Sequence, residues 1–542
     1  MTTEACMWPN GNTYLDDMFN MKDQSNVDAA EGISEVTNFY AGCNVLITGG
    51  SGFLGKLLLE KLLRTCPNMG KVYMLLRAKK GKTPAQRLKE QFNDLLYDRL
   101  RHEQPNFASQ VVIIEGDTGE EDLGLSSADR DLLVKNTHVV FHGAATVRFD
   151  ETLRKAININ VRGVKMMLLL AKEMNNLKAF VHISTAYAHC TLDYIEEKYY
   201  KPAMDPNEAI AMVAKSEDEA LQRMAPRIIG AWPNTYTFSK SVGEDAVRMY
   251  SRGLPISVVR PSIVLPTIKD PVVGWSDNMY GSTGAVVGIY VSLLRVFHCD
   301  LKNVVELIPA DIVINNIIVA AWDTNKLWNQ KKLAVEQPVG QSDFLDVTTQ
   351  PLIYNCVSSC QKPLTWDEYL HVNLRYADEA PSRLTLWYRV FIPVKYEWLY
   401  ILGKLFLHLI PAIIVDTLAR LTGRKPRLLK IYQKVHKYSS VVSYYCNREW
   451  KFNNDNVLKL WERTSLTDQT KFDFNVENFD WSEYFVNYIR GIRVYVLKDP
   501  MTTLDQARVK YKLLTGLHFT IVTILCCLLA WLFTSFVGIS LL

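Results

Sequence analysis

Short runs of apolar and β-branched residues recur along the first half of the chain, with amphipathic helical stretches between them. They are Val45–Ile47, Lys71–Leu76, Val111–Ile114, His138–His142, Ala179–Ile183 and Ile256–Val259. Nearly continuous apolar runs suit strands buried on both faces, and strands alternating with helices predict an α/β fold, a doubly wound parallel sheet that binds ligands at its carboxyl edge. From about Asp270 the alternation lapses into Gly- and aromatic-rich segments such as Gly274-Trp-Ser-Asp-Asn278. Residues from about 365 to 500 follow a helical pattern rich in Trp, Tyr and Leu, which predicts a second, mainly helical unit. Within it Leu386–Leu421 is unusually apolar, but Arg389, Lys395, Glu397, Lys404, Asp416 and Arg420 interrupt it. Burial in the helical unit, or a face lying on a membrane surface, is expected there rather than a span. Leu517–Leu542 contains no Asp, Glu, Lys or Arg, and it exceeds the roughly 20 apolar residues that cross a bilayer. The expected division is therefore 1–35 as an acidic tail, 36–364 as the sheet-bearing domain, 365–512 as the helical unit and 513–542 as a membrane anchor.

The first strand-like run leads into Thr48-Gly-Gly-Ser-Gly-Phe-Leu-Gly55, followed by the helical run Lys56–Leu63. Glycines at 49, 52 and 55 suit a tight turn that a pyrophosphate approaches closely, and the helix start offers free N–H groups and the positive end of a dipole. This is the pattern of a dinucleotide site. The second strand ends in Arg77, backed by Lys79, Lys80 and Arg87. A 2′-phosphate wants arginine where a free 2′-hydroxyl wants a carboxylate, so the cofactor expected is NADPH. Asp117, ending the third strand, is placed to accept from the adenine amino group, and Ala144, ending the fourth, lets the cofactor pass close by. Tyr236 and Lys240 are four apart, on one face of a predicted helix, so the ammonium is expected to depress the phenol pKa and ready Tyr236 as an acid. Ser184 and Thr185 end the fifth strand and bring hydroxyls to the same edge.

Charge changes little: 61 Lys and Arg stand against 57 Asp and Glu in 542 residues, which gives no footprint for nucleic acid. The ten cysteines are scattered. Cys356 and Cys360 form an isolated pair with no second pair at metal-ligand spacing, so buried, reduced thiols are expected and no metal. Cys190, just past Thr185, lacks a base or electropositive partner, so it is expected to be inert rather than an acyl-carrying nucleophile. The first 35 residues lack a basic n-region and an apolar h-region, so no secretory signal is expected. Arg508, Lys510 and Lys512 precede the apolar C-terminal run, which orients the body toward the cytosol. Neither a Ser-Lys-Leu nor a Lys-Asp-Glu-Leu ending is present, leaving the endoplasmic reticulum as the default membrane and the peroxisome as the alternative.

These residues together resemble the extended short-chain dehydrogenase/reductase superfamily with its Rossmann fold, and more closely the alcohol-forming fatty acyl-CoA reductases of the male-sterility type. The resemblance spans nearly the whole chain beyond the first 30 or so residues. It is carried by Ile47–Lys56, Tyr73–Lys79, His142–Ala145, Asn158–Gly163, Val181–Tyr187, Asn234–Lys240, Arg260-Pro261-Ser262-Ile263 and Gly274–Asn278. Ser51 stands where threonine is expected, a change that keeps the hydroxyl. By resemblance Thr48, Gly49, Ser51, Gly52, Phe53, Leu54, Gly55, Arg77, Asp117, Ala144, Lys240 and Pro261 face the cofactor. Tyr236 is the acid, Lys240 its partner and Thr185 the hydroxyl donor, with Ser184 the alternative, while Asn160 orders a relay water. The implied activity is reduction of long-chain acyl-CoA to a primary alcohol with two NADPH, through an aldehyde. A membrane-bound extended reductase acting on a steroid or other lipid alcohol or ketone shares the cofactor residues, but does not need the helical C-terminal unit.

Overall fold

The computed structural model describes residues 32–335 and 350–540. Most of the acidic N-terminal stretch lies outside these residues. Where the chain enters, Ser34 caps the helix Glu35–Tyr40 and donates to Asp468 Oδ1 at 2.5 Å.

Thirteen strands occur among the described residues: β1 Val45–Thr48, β2 Val72–Leu76, β3 Val111–Glu115, β4 Val139–His142, β5 Ala179–Ile183, β6 Tyr194–Ile195, β7 Ile256–Pro261, β8 Ile263–Leu265, β9 Val296–His298, β10 Leu307–Pro309, β11 Leu352–Cys356, β12 Ile392–Val394 and β13 Lys451–Phe452. Seven build one parallel sheet in the order β11-β7-β5-β4-β1-β2-β3. Its inner strands are apolar on both faces because helices cover both sides. The chain order reverses between β1 and β4, which opens the crevice used by ligands of such sheets.

The strand-like runs of the first half all form sheet strands, with small shifts at their ends. The expectation that alternation stops near Asp270 is corrected. The helix Ala310–Val335 packs on β5 and β7 and leads to β11, the seventh strand. Asn355 obscures that strand in the sequence; buried near its end, it donates to Ile195 O and Asn453 O. Buried, reduced thiols hold for Cys356 but not for Cys360, which is exposed beyond the strand end.

Beyond β11 the chain is mainly helical and packs back on the sheet domain. Arg463 pairs with the buried Asp323 at 2.6 Å, and Tyr354 of β11 donates to the same carboxylate at 2.6 Å. The Gly274–Asn278 loop joins three parts. Trp275 is buried and stacks on Phe53 with centroids 5.5 Å apart, Asp277 pairs with Lys56 at 2.8 Å, and Gly274 lies against the helix Trp481–Gly491. A Cβ on Gly491 would stand 1.9 Å from Gly274 O. Gly491→Ala is therefore expected to destabilise the fold by about 1–3 kcal/mol through overpacking, read as a lower thermal or denaturant midpoint. An unchanged midpoint would show that this contact can relax freely.

Candidate active site

The glycine turn forms because β1 ends against β4 with no room for a side chain. Gly49 has φ +77°, and a Cβ there would meet Gly143 O and Ala144 N at 2.7 Å. A Cβ on Gly55 would lie 2.2 Å from Gly49 O, so the helix Phe53–Thr65 sits directly on the turn. Gly52 is its N-cap and supplies no side-chain cap, which leaves the first N–H groups to a ligand. Thr48 is turned elsewhere: its hydroxyl accepts from Ala144 N at 3.1 Å and pairs with His142 Nδ1 at 2.7 Å, tying β1 to β4. Phe53 and Leu54 pack into the core and bring only their backbone to the turn.

At the end of β2, Arg77 pairs with Asp117 Oδ2 at 2.5 Å, and Asp117 Oδ1 accepts from Gly119 N at 2.9 Å. Arg87 donates to Arg77 O and to Ser51 Oγ, both at 2.6 Å, which places a second guanidinium beside the glycine turn. Lys79 is held below its usual pKa by burial and by Arg77, Arg87, Lys80 and Lys155. This crowd of cations, with Asp117 on one side, fits a phosphate monoester, and the uncapped helix start fits a pyrophosphate. The residues present thus suit a dinucleotide bearing a 2′-phosphate.

At the other end of the crevice the helix Thr235–Tyr250 lies against β5. Asn234 caps it by accepting from Thr237 N at 2.9 Å. Lys240 is buried and donates to Ile183 O at 2.9 Å; burial lowers its pKa to about 8 although Glu244 works against this. Tyr236 stacks on Phe149 with centroids 5.7 Å apart. Burial pushes the phenol up to about 12, and a hydrogen bond with Thr185 offsets this only in part. The expected depression by lysine is corrected: desolvation dominates, so the phenol holds its proton at neutral pH.

Ser184 and Thr185 part company. Ser184 Oγ donates to Glu244 Oε1 at 2.5 Å, whereas Thr185 reaches Tyr236. Glu244 also takes His189 Nε2 at 3.0 Å, Arg260 Nε at 2.9 Å and Arg260 Nη2 at 2.6 Å. Its carboxyl is held well below the usual range despite complete burial, chiefly by the Arg260 guanidinium. Glu244 carried no role in the sequence reading, yet it lies one turn beyond Lys240 on the same face, and that spacing was available. Asn160, in a π-turn, accepts from Thr146 N at 3.0 Å and donates to Thr146 O at 3.1 Å and Ser239 Oγ at 2.9 Å. Its side chain thus pins the loop after β4 to the tyrosine-bearing helix. Pro261, buried, ends β7 next to Arg260. Cys190 is buried with its thiol pushed up to about 11 by desolvation, the wrong state for a nucleophile.

Aromatic side chains from the helical unit roof this edge. Tyr445 accepts from Asn234 Nδ2 at 2.9 Å and packs on Phe149 and Tyr187, and Trp450 packs edge-on against Tyr187 at 5.2 Å.

A parallel sheet whose crevice offers a phosphate cradle at one end and a half-buried phenol beside a buried hydroxyl and ammonium at the other defines an NAD(P)-binding oxidoreductase of the short-chain dehydrogenase type. The description "Male sterility protein" matches residues 47–317 and, in a second part, residues 407–499. The chain is 37% identical over 498 residues to fatty acyl-CoA reductase wat of Drosophila melanogaster, covering 92% of each chain. It is 34% identical over 512 residues to fatty acyl-CoA reductase 1 of Homo sapiens, covering 92% of this chain and 93% of that one. The chain belongs to the fatty acyl-CoA reductase family of male sterility proteins. In fold it is similar to the terminal R domain of the myxalamid PKS-NRPS pathway, with TM-score 0.54 and 18% identity over 90% of this chain and all of that domain. The R domain of a non-ribosomal peptide synthetase from Mycobacterium tuberculosis gives TM-score 0.52 and 19% identity over 88% and 98%.

With Ser184 committed to Glu244, Thr185→Ala is expected to lower kcat on the order of a hundredfold, the scale of one lost oxyanion donor. Ser184→Ala should leave kcat within a few-fold of wild type and show its cost in stability. A larger kcat loss in Ser184→Ala than in Thr185→Ala would reverse the assignment.

Proposed function

We propose that the protein reduces long-chain fatty acyl-CoA to a primary alcohol with NADPH, in two rounds at one site, releasing CoA. The observation that carries this is Tyr236, half-buried against Phe149 and paired with the buried Thr185 hydroxyl, beside the buried Lys240 and under an aromatic roof, in a chain similar over nine-tenths of its length to proteins named fatty acyl-CoA reductase. Gly49, Ser51, Gly52 and Gly55, with the backbone at Phe53 and Leu54, would hold the pyrophosphate, Arg77 and Arg87 the 2′-phosphate, and Lys240 the nicotinamide ribose. Bound there, the nicotinamide supplies one hydride to a carbonyl carbon in each round.

Thr185 and Tyr236 donate to the carbonyl oxygen and stabilise the charge that develops on it. In the first round that charge collapses back, the C–S bond breaks, the CoA thiolate leaves and an aldehyde remains. In the second round the Tyr236 phenol, protonated at neutral pH, gives its proton to the alkoxide. Lys240 holds the site's positive charge and, through Ile183 O, the register of helix to strand. The roof of Tyr187, Tyr445 and Trp450 excludes water and offers the alkyl chain an apolar wall, at about 0.8 kcal/mol per buried CH₂. On this reading 36–364 is the catalytic domain, 365–512 shapes the acyl path, and 513–542 anchors the body on the cytosolic face of the endoplasmic reticulum, or of the peroxisome.

Tyr236→Phe should abolish both reductions while leaving NADPH affinity and folding in place, checked by product analysis with a panel of acyl-CoAs and by cofactor titration. Near-normal turnover in that variant would overturn the mechanism. Because the Lys240 ammonium is lost as pH rises through about 8, the KM for NADPH should climb above that pH, and in Lys240→Arg the climb should vanish. Arg77→Ala and Arg87→Ala should each raise the KM for NADPH about tenfold or more, since charge-assisted hydrogen bonds contribute about 1.5–3 kcal/mol, and leave NADH kinetics unchanged. Wild-type use of NADH as good as that of NADPH would contradict this assignment.

A further inference from the structure

Two helical stretches are long and apolar enough to cross a membrane: Met501–Ser535 and Glu397–Leu421. The second is neither buried nor free of fixed contacts. Its inward face is a stripe of residues four apart, His408, Ala412 and Asp416, with Tyr400 on the same line. His408 stacks on Tyr432 at 4.5 Å and hydrogen-bonds His436 at 3.0 Å, while the Asp416 carboxylate accepts from the backbone N–H groups of Arg427, Leu428 and Leu429. The segment is thereby fastened along the helix Leu428–Cys446. On its other face Trp398, Ile401, Phe406, Ile413, Ile414 and Leu418 are all more than half exposed. An exposed apolar face of that extent demands a cover. Burial in the helical unit, one of the two expectations from sequence, is therefore corrected for this segment.

What covers it is indicated by its neighbours. Trp387 donates to His518 at 3.1 Å, and Tyr388 packs on Tyr511, His518 and Phe519. These contacts meet the C-terminal helix where its apolar run begins, and Trp and Tyr gather at the level of lipid headgroups. The chain that leads into the segment is thus tied, nine residues ahead of it, to the point at which that helix enters a bilayer. Charge agrees: from Thr417 to Arg448 the chain has no Asp or Glu, and Arg420, Arg424, Lys425, Arg427 and Lys430 are exposed around the helix end. An apolar face flanked by bases suits an anionic lipid surface.

We infer that Glu397–Leu421 lies in the plane of the bilayer surface, with the Trp398–Phe406–Ile414–Leu418 face among the acyl chains, as a second membrane contact beside the C-terminal helix. A span is excluded by the fixed contacts of its opposite face with Tyr432 and His436. The contact also reaches the active site, because the helix it holds carries Tyr445, the partner of Asn234, at its far end. The inference rests on the C-terminal helix being the membrane anchor, as proposed above.

The test uses the full chain in vesicles of phosphatidylcholine and phosphatidylserine. Cys6 and the exposed Cys360, Cys526 and Cys527 are replaced by serine, and a single fluorophore is attached to Trp398→Cys, Phe406→Cys, Ile414→Cys or, as the anchor control, Ile524→Cys. Lipids carrying a nitroxide near the headgroup or near the chain end then quench the emission. The expected result is a larger loss with the shallow label at 398, 406 and 414 alike, and with the deep label at 524. Deep quenching at 406 with shallow quenching at 398 would mean a span and overturn the inference. Quenching at 524 with none at 406 or 414 would overturn it while leaving the anchor intact, and no quenching at any position would overturn both.

Discussion

The Glu244 carboxylate is the constraint on which the site depends. It is withdrawn from water completely, a position that costs several kcal/mol for an isolated ion. It stays ionised because Arg260 donates to both its oxygens while Ser184 and His189 take the remaining directions. Each donor comes from a different piece of chain: Ser184 from the end of β5, His189 from the turn after it, Arg260 from β7. Arg260 continues outward to the carbonyls of Glu196 and Lys198. One residue on the tyrosine-bearing helix thus fixes two strand ends and a loop. The Tyr236–Thr185 contact is a consequence, because helix and strand can meet in only one register once the carboxylate is satisfied. Loss of Arg260 would leave this buried charge uncompensated, at a cost of about 3–5 kcal/mol.

A second layer of constraint comes from far along the chain. The cofactor helix is steadied by Trp275 and Asp277, and their loop is wedged against the helix Trp481–Gly491 by two glycines. The tyrosine-bearing helix is steadied at its start by Tyr445, which accepts from the capping Asn234. The helical unit is therefore part of the active site's support as well as its roof. The Gly274–Asn278 loop and the helix Trp481–Gly491 are thus packing partners of each other.

The sheet was legible in the sequence because its signals are local. A buried strand shows as an apolar run, a phosphate turn as spaced glycines, a tyrosine–lysine face as a spacing of four. β11 escaped because Asn355 breaks its apolar run, and the side-chain N–H groups of that asparagine find their acceptors only at Ile195 and Asn453, far away in sequence. The phenol's raised pKa escaped for a related reason. Local spacing places an ammonium nearby, but the dryness that outweighs it comes from Phe149 and from Tyr445, some two hundred residues on. The choice between Ser184 and Thr185 was open in sequence, since both end the strand; the pairing of Ser184 with Glu244 separates them. Arg77, with Arg87 behind it, was found by position, whereas the pairing of Arg77 with Asp117 and the hydrogen bond from Arg87 to Ser51 needed the fold.

The apolar segment at 397–421 shows the same limit from the opposite side. Its charged interruptions argued against a span, and they were informative, since Asp416 is used to cap the next helix. Periodicity alone did not say which face would be left open. With the open face in lipid, the roof of the active site is joined to the membrane by one continuous helix, Leu428–Cys446. A long acyl chain leaving a bilayer for water loses about 0.8 kcal/mol for each CH₂ exposed. On the proposed function, a substrate chain drawn from the membrane surface toward the aromatic-roofed site would exchange one apolar surrounding for another. The proposed substrate and the placement of the helical unit would then answer one physical demand, that the chain be kept from water.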